Sequence, residues 1–138
     1  MIGARAINHI GIAVRSIDRH RDFYENVLGA TLEGIEDVPS QLVRVAFFRV
    51  GPEPAGTRLE LLEPTAADSP VARFLERRGE GVHHIAYTVA GLEDRLAELA
   101  EAGLELVDRT PRRGAHDMRI AFLHPGSTGG VLTELCEP

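Results

Sequence analysis

Apolar and polar positions alternate through residues 8–14, with Ile10, Ile12 and Val14 on one face and His9, Gly11 and Ala13 on the other. A two-residue period predicts a strand packed on one face and opening onto a cavity on the other. Residues 83–89 repeat the pattern, His84, Ala86 and Thr88 sharing a face opposite Ile85, Tyr87 and Val89. After the first strand the period lengthens. Ser16 is placed to cap a helix through about Val27, with Ile17, Phe23, Tyr24, Val27 and Leu28 as its apolar face and Gly29 as its stop. The second copy has Leu92, Leu96, Leu99 and Ala100 at helical spacing, which predicts a helix over 92–102 ended by Gly103. Apolar runs at 30–35, 42–50 and 57–63, and again at 104–108, 117–123 and 131–136, predict three strands after each helix.

The two series are an internal repeat. At a shift of 75, His9 falls on His84, Ile10 on Ile85 and Val14 on Val89, and Arg44-Val45-Ala46-Phe47-Phe48 falls on Arg119-Ile120-Ala121-Phe122-Leu123. At a shift of 74, Arg58–Pro64 falls on Leu132–Pro138. Each half reads βαβββ, module one spanning about 5–64 and module two about 81–138. A turn-rich linker over about 65–80 ends in a short helix, Val71–Arg78. A half of about 60 residues with few aromatics buries little surface alone, so the chain is expected to be a single α+β domain. Its expected architecture is two βαβββ modules paired into a mixed eight-stranded curved sheet enclosing a metal site.

Composition narrows the chemistry. The 138 residues are 43% apolar and 26% charged, and no apolar run approaches the roughly 20 residues of a membrane helix. The first residues lack the apolar stretch of an export signal, so a cytoplasmic protein is expected. The net charge of −6 repels nucleic-acid phosphates. All 15 basic residues are arginine, which removes Schiff-base chemistry through lysine, including pyridoxal-phosphate attachment. The single cysteine, Cys136, excludes both an internal disulfide and a thiolate zinc cage, so a metal here would use nitrogen and oxygen donors.

The repeat selects those donors. His9 and His84 are equivalent, as are Glu60 and Glu134, at intervals of 60 − 9 = 51 and 134 − 84 = 50. Equivalent side chains on the cavity faces of two modules packed about a two-fold axis would converge, giving two imidazoles and two carboxylates, a set suited to a divalent ion. Each carboxylate alternates with apolar neighbours in a strand, where a charge is costly without a partner. Co²⁺, Mn²⁺, Ni²⁺, Fe²⁺ or Zn²⁺ would serve such a site as a Lewis acid toward an oxygenated substrate. The competing reading is that duplication kept these residues for the fold alone. His83 takes the opposite face and reads as structural, His20 lies on an arginine-rich solvated helix face, and Cys136 reads as a small buried hydrophobe. The segment Arg112-Arg113-Gly114-Ala115-His116 either binds an anionic group or is an exposed basic turn. His124–Gly130 either sets backbone N–H groups beside a ligand or is an ordinary connection.

NHIGIAV at 8–14, FYENVLG at 23–29, LELLEP at 59–64, DSPVARFLERRGEGVHHIAY at 68–87, PRRGAH at 111–116 and AFLHPGSTGGVLTEL at 121–135 together resemble the vicinal oxygen chelate (glyoxalase/bleomycin resistance/dioxygenase) superfamily, and within it the methylmalonyl-CoA epimerase family. The likeness spans nearly the whole chain. It implies metal ligation by His9, Glu60, His84 and Glu134, with Co²⁺ or Mn²⁺ the usual ion. It also implies interconversion of (R)- and (S)-methylmalonyl-CoA through an enediolate stabilised by the metal. Glu134 resembles one acid–base group, doubling as ligand, and Gln41, Arg113 and His116 fall on segments expected to meet the acyl-CoA. Two positions depart from the pattern. Val45 stands where some relatives carry a glutamate, and Gln41-Leu42 replaces a glutamine-glycine pair. Glu60 or a metal-bound water then remains as the second proton carrier.

Other functions stay open on the same residues. A glyoxalase-type lyase or isomerase also uses two His and two Glu and passes through an enediolate. An extradiol dioxygenase would use a 2-His-1-carboxylate iron site. A metal-free binding protein of this architecture would sequester a small molecule and be indifferent to chelators. Exposed sheet edges on a small two-module protein invite pairing, so a homodimer is expected.

Overall fold

The computed structural model describes residues 1–52 and 56–138. Among these residues eight strands are present: β1 Ala6–Ala13, β2 Thr31–Val38, β3 Val43–Arg49, β4 Arg58–Pro64, β5 Gly81–Thr88, β6 Arg112–Arg113, β7 Arg119–Leu123 and β8 Thr133–Glu137. Three α-helices accompany them: α1 Ile17–Asp22, α2 Pro70–Arg78 and α3 Leu92–Glu101. The strands form one mixed sheet in the order β2-β3-β4-β1-β5-β8-β7-β6, the α+β architecture read from the repeat. Among the described residues no helix is long and apolar enough to cross a membrane.

The chain divides into two compact units, His9–His83 and Met1–Asn8 with His84–Pro138. In the first, β4 pairs parallel with β1 and antiparallel with β3, which pairs antiparallel with β2. In the second, β8 pairs parallel with β5 and antiparallel with β7, which pairs antiparallel with β6. The same connectivity thus occurs twice, as two copies of one pattern require.

Alternation sorts the strands of each unit into two faces. In the first unit Val14, Ile17, Ala30, Ala46, Phe48 and Leu61 form a buried cluster, with Ile12, Tyr24, Ile35 and Leu59 packed against it. In the second, Val89, Leu92, Leu96, Ala121, Leu123 and Leu135 do the same beneath α3. Residues one position removed, including His9, Glu60, His84 and Glu134, therefore take the opposite faces.

The repeat extends to the helix starts. Glu63, three residues after Glu60, accepts a hydrogen bond from Ile17 N at 3.0 Å, so a β4 carboxylate meets the exposed N–H groups at the start of α1. Its counterpart Glu137 accepts from Gly91 N at 2.7 Å and Leu92 N at 3.3 Å at the start of α3. Those backbone donors hold the Glu137 carboxyl below its ordinary range. Ser16 occupies the N-cap position without a side-chain bond, contrary to the capping role expected of it. Ser69 does cap α2, accepting from Ala72 N at 3.1 Å.

Two elements differ from expectation. The helix expected over 16–27 ends as α-helix at Asp22 and continues as a π-turn, Phe23–Val27, in which Leu28 N donates to Phe23 O at 2.7 Å. Widening the turn rotates the face that follows. Tyr24 stays against the cluster, while Phe23, Val27 and Leu28, expected on the buried face, are exposed. The strand expected over 104–108 is reduced to a bridge between Leu106 and Leu123, and the strand pairing with β7 is β6 instead. Val107 N and Asp108 N both donate to Phe122 O, and the Asp108 carboxylate accepts from Phe122 N at 2.9 Å, so a side chain replaces the next ladder bond.

Candidate functional site

In the unit His9–His83, parallel β1 and β4 align Gly11 with Glu60. His9, two residues before Gly11, shares that face, and Gly11 adds no side chain between them. His9 Nδ1 lies 3.1 Å from Glu60 Oε2, and the two residues are 3% and 5% exposed. Burial pushes the Glu60 carboxyl up to about 8, with Arg58 opposing and Glu36 adding to the shift. Arg58 is drawn toward Glu33, its Nε 2.9 Å from that carboxylate, and Arg49 reaches the same acid at 3.4 Å.

In the other unit the arrangement recurs. β5 and β8 align Ala86 with Glu134, His84 sits two residues earlier, and His84 Nε2 lies 3.8 Å from Glu134 Oε1. Both residues are buried. Phe122 of β7 lies opposite Glu134 in register. Its ring meets the His84 ring edge-on at 5.5 Å and carries the Arg112 guanidinium at 5.5 Å from its centroid. Sequence reading missed Phe122, and it placed Arg112 only in a basic segment that either binds an anionic group or is an exposed turn. The position of Phe122 on the face opposite Ala121 and Leu123 was the available signal.

Each buried pair joins a neutral-capable imidazole to a carboxylate where water is scarce. A carboxylate so buried is costly to ionise alone and gains most from a cation. Nitrogen and oxygen donors without thiolate suit a divalent first-row ion. The donor sets therefore fit the metal expected from the repeat.

The remaining candidates fall outside these pairs. Gln41 ends the turn Pro39–Gln41 and is half-buried, and Leu42 after it is left-handed at φ 53° and ψ 45°. Leu42 thus keeps a conformation that favours glycine. Val45 is buried in β3. Arg113 pairs with the exposed Asp117 at 3.3 Å, and His116 and Asp117 are both left-handed. His20, expected on a solvated face, bonds Glu80 at 2.8 Å. His83 packs edge-on against Phe74 of α2 at 5.0 Å, and burial lowers its pKa to about 4, as befits a structural histidine. Cys136 is buried, its thiol donating to Tyr87 O at 3.5 Å. His124 accepts from Gly126 N at 3.0 Å in the turn Pro125–Ser127.

Comparison with known proteins places this geometry. Residues 8–122 match the family model for the Glyoxalase/Bleomycin resistance protein/Dioxygenase superfamily. The uncharacterized protein YqjC of Bacillus subtilis is 51% identical over 132 residues, covering 96% of this chain and 91% of its own. An ethylmalonyl-CoA/methylmalonyl-CoA epimerase of Cereibacter sphaeroides is 37% identical, covering 98% of each chain. Among solved structures, a Streptomyces coelicolor methylmalonyl-CoA epimerase in complex with 2-nitronate-propionyl-CoA is 38% identical with a TM-score of 0.91, covering 98% of this chain and 95% of that one. With a buried His–Glu pair in each copy of its repeat and relatives matched over nearly its full length, this chain belongs to the Glyoxalase/Bleomycin resistance protein/Dioxygenase superfamily.

Proposed function

We propose that this protein is a divalent-metal-dependent methylmalonyl-CoA epimerase, interconverting the (R) and (S) forms without redox change. The observation that carries the reading is the duplicated, buried His–Glu pair, in a chain whose epimerase relatives match it almost end to end. His9, Glu60, His84 and Glu134 hold the ion in this reading. All four are buried. When bound, Co²⁺ or Mn²⁺, or in their place Ni²⁺, Fe²⁺ or Zn²⁺, supplies Lewis acidity that makes a hydrogen between a thioester and a carboxylate removable.

The chain's own groups do the rest. Glu134, beside the α-carbon, takes or returns the proton on one face, which asks for a carboxyl within hydrogen-bond reach and poised between its two forms. Glu60 shares the ligand role and is a second carboxyl able to hold a proton. Phe122 lies against the His84 ring, where it limits water. Gln41, Arg113 and His116 are assigned to the acyl-CoA, the two basic side chains meeting its anionic groups. Ethylmalonyl-CoA is a further substrate of this reading, and association into a homodimer belongs to it.

The test is to supply each pure epimer to metal-loaded protein and resolve the products by chirality, beside a hemithioacetal assay on the same sample. Equilibration of both epimers with no hemithioacetal turnover supports the assignment. The opposite pattern moves the protein to glyoxalase-type chemistry, and neither activity contradicts both.

A further inference from the structure

Inversion at a carbon removes a proton from one face and delivers one to the other, so a carboxyl on a single side completes half of the exchange. Glu134 supplies one side. Glu60, 3.1 Å from His9 Nδ1 where Glu134 and His84 are 3.8 Å apart, is the more closely paired of the two carboxyls, which leaves it the less free to serve the other side. Val45, on the strand between β2 and β4, has no proton to move.

The register of the unit His9–His83 offers a third carboxylate. Phe47 lies opposite Glu60, and Val45, two residues away on β3, shares that face. Across the next pair, Glu36 of β2 lies opposite Val45. Glu36, Val45, Phe47 and Glu60 are therefore on one face, while Ile35, Ala46 and Phe48 line the cluster beneath α1. Opposed Cβ atoms in an antiparallel pair are about 5 Å apart, a span that lets a glutamate extend over a short valine side chain. Glu36 is half-buried.

We propose that Glu36, reaching over Val45 from the neighbouring strand, is the second proton-transfer group of the epimerisation. The proposal rests on the epimerase reading above. In one direction the Cα–H bond breaks, its proton passes to a Glu36 carboxylate oxygen and the electron pair moves into the thioester carbonyl. The Cα–H bond then reforms on the opposite face with the proton of Glu134. Glu36 ends protonated and Glu134 ionised, a state that the reverse turnover or exchange with solvent resets. Nothing is oxidised or reduced.

An inward charge on an edge strand also guards against strand pairing without any part in chemistry, and the experiment separates the two roles. Metal-loaded wild-type, Glu36→Gln and Asp37→Asn proteins are each given pure (R)- or (S)-methylmalonyl-CoA in deuterated water. Inversion and deuterium at the α-carbon are then followed separately. Asp37 faces away from Glu36 in β2 and is exposed, so it serves as the control. The expected result is a loss of inversion of about 100-fold or more in Glu36→Gln. One epimer should still exchange its α-hydrogen with retention, because the opposite carboxyl abstracts and redelivers on its own face. Inversion at the wild-type rate in Glu36→Gln overturns the proposal and leaves the epimerase reading standing. Loss of exchange from both epimers, with metal content and thermal midpoint unchanged, also overturns it. A wild-type protein that neither inverts nor exchanges contradicts the epimerase reading itself.

Discussion

Replacing Glu60 with glutamine measures what burial of this carboxyl costs in the metal-free protein. Burial moves it from an ordinary 4.5 to about 8, against the pull of Arg58 and with the help of Glu36. The difference, 8 − 4.5 = 3.5, corresponds to about 5 kcal/mol between the protonated and ionised forms at about 1.4 kcal/mol per pH unit. Relaxation and water entry around a buried ion reduce this, so about 2–4 kcal/mol is expected in practice. The sign follows from proton binding. The folded carboxyl is the weaker acid, so between about pH 4.5 and 8 the folded state holds more protons than the unfolded state. Its contribution is fully present below the lower value and is lost as pH rises through the upper one. Glutamine resembles the protonated carboxyl and never ionises. Glu60→Gln should match wild type near pH 4.5 and exceed it by about 2–4 kcal/mol above pH 8. The assay is urea unfolding of chelator-treated protein across that range, with m-values compared. A divalent ion should reverse the order at high pH, because a cation favours the carboxylate that only wild type can form. If Glu60→Gln loses stability with rising pH as steeply as wild type, burial of Glu60 is not the source of the effect.

Three further predictions rest on separate features. Glu134→Gln should abolish inversion and lower metal content, having lost a ligand and a proton carrier together, while Val45→Ala should leave α-proton exchange intact; retained inversion in Glu134→Gln would remove it from the proton-transfer role. Glu63→Ala removes the acceptor from the first turn of α1 and should cost about 1 kcal/mol, seen as a thermal midpoint lowered by about 4 °C. An unchanged midpoint would mean water replaces the carboxylate without loss. Leu42→Gly should leave stability unchanged or raise it, since the left-handed backbone costs a non-glycine residue about 1–2 kcal/mol. Leu42→Val should lower it, and the reverse order in thermal melts would refute the strain.

The fold was legible because the chain states it twice. His9 and Ile10 over His84 and Ile85, and Glu60 over Glu134, located β1, β4, β5 and β8, and strand alternation assigned the faces that the clusters beneath α1 and α3 then bear out. What the sequence concealed depends on contacts between distant segments. Glu63 and Glu137 carry no signal along the chain, because their role depends on β4 and β8 lying against the helix starts they bind. The π-turn at Phe23–Val27 inserts no signal residue, so Phe23, Val27 and Leu28 looked like a buried stripe. Residues 104–108 have a strand's composition, and Asp108 diverts the ladder by binding Phe122 N itself. Glu36 was hidden by the irregularity between Leu32 and Gly34, after which simple alternation along β2 no longer assigns faces correctly.

Deuterium uptake at the α-carbon of methylmalonyl-CoA, measured with chelator-stripped protein before and after adding Co²⁺ or Mn²⁺, tests the central claim most directly. The account predicts little exchange without metal and, once one ion per chain is bound, rapid exchange accompanied by racemisation. Stoichiometric metal binding with no exchange, or exchange that ignores the chelator, would contradict it.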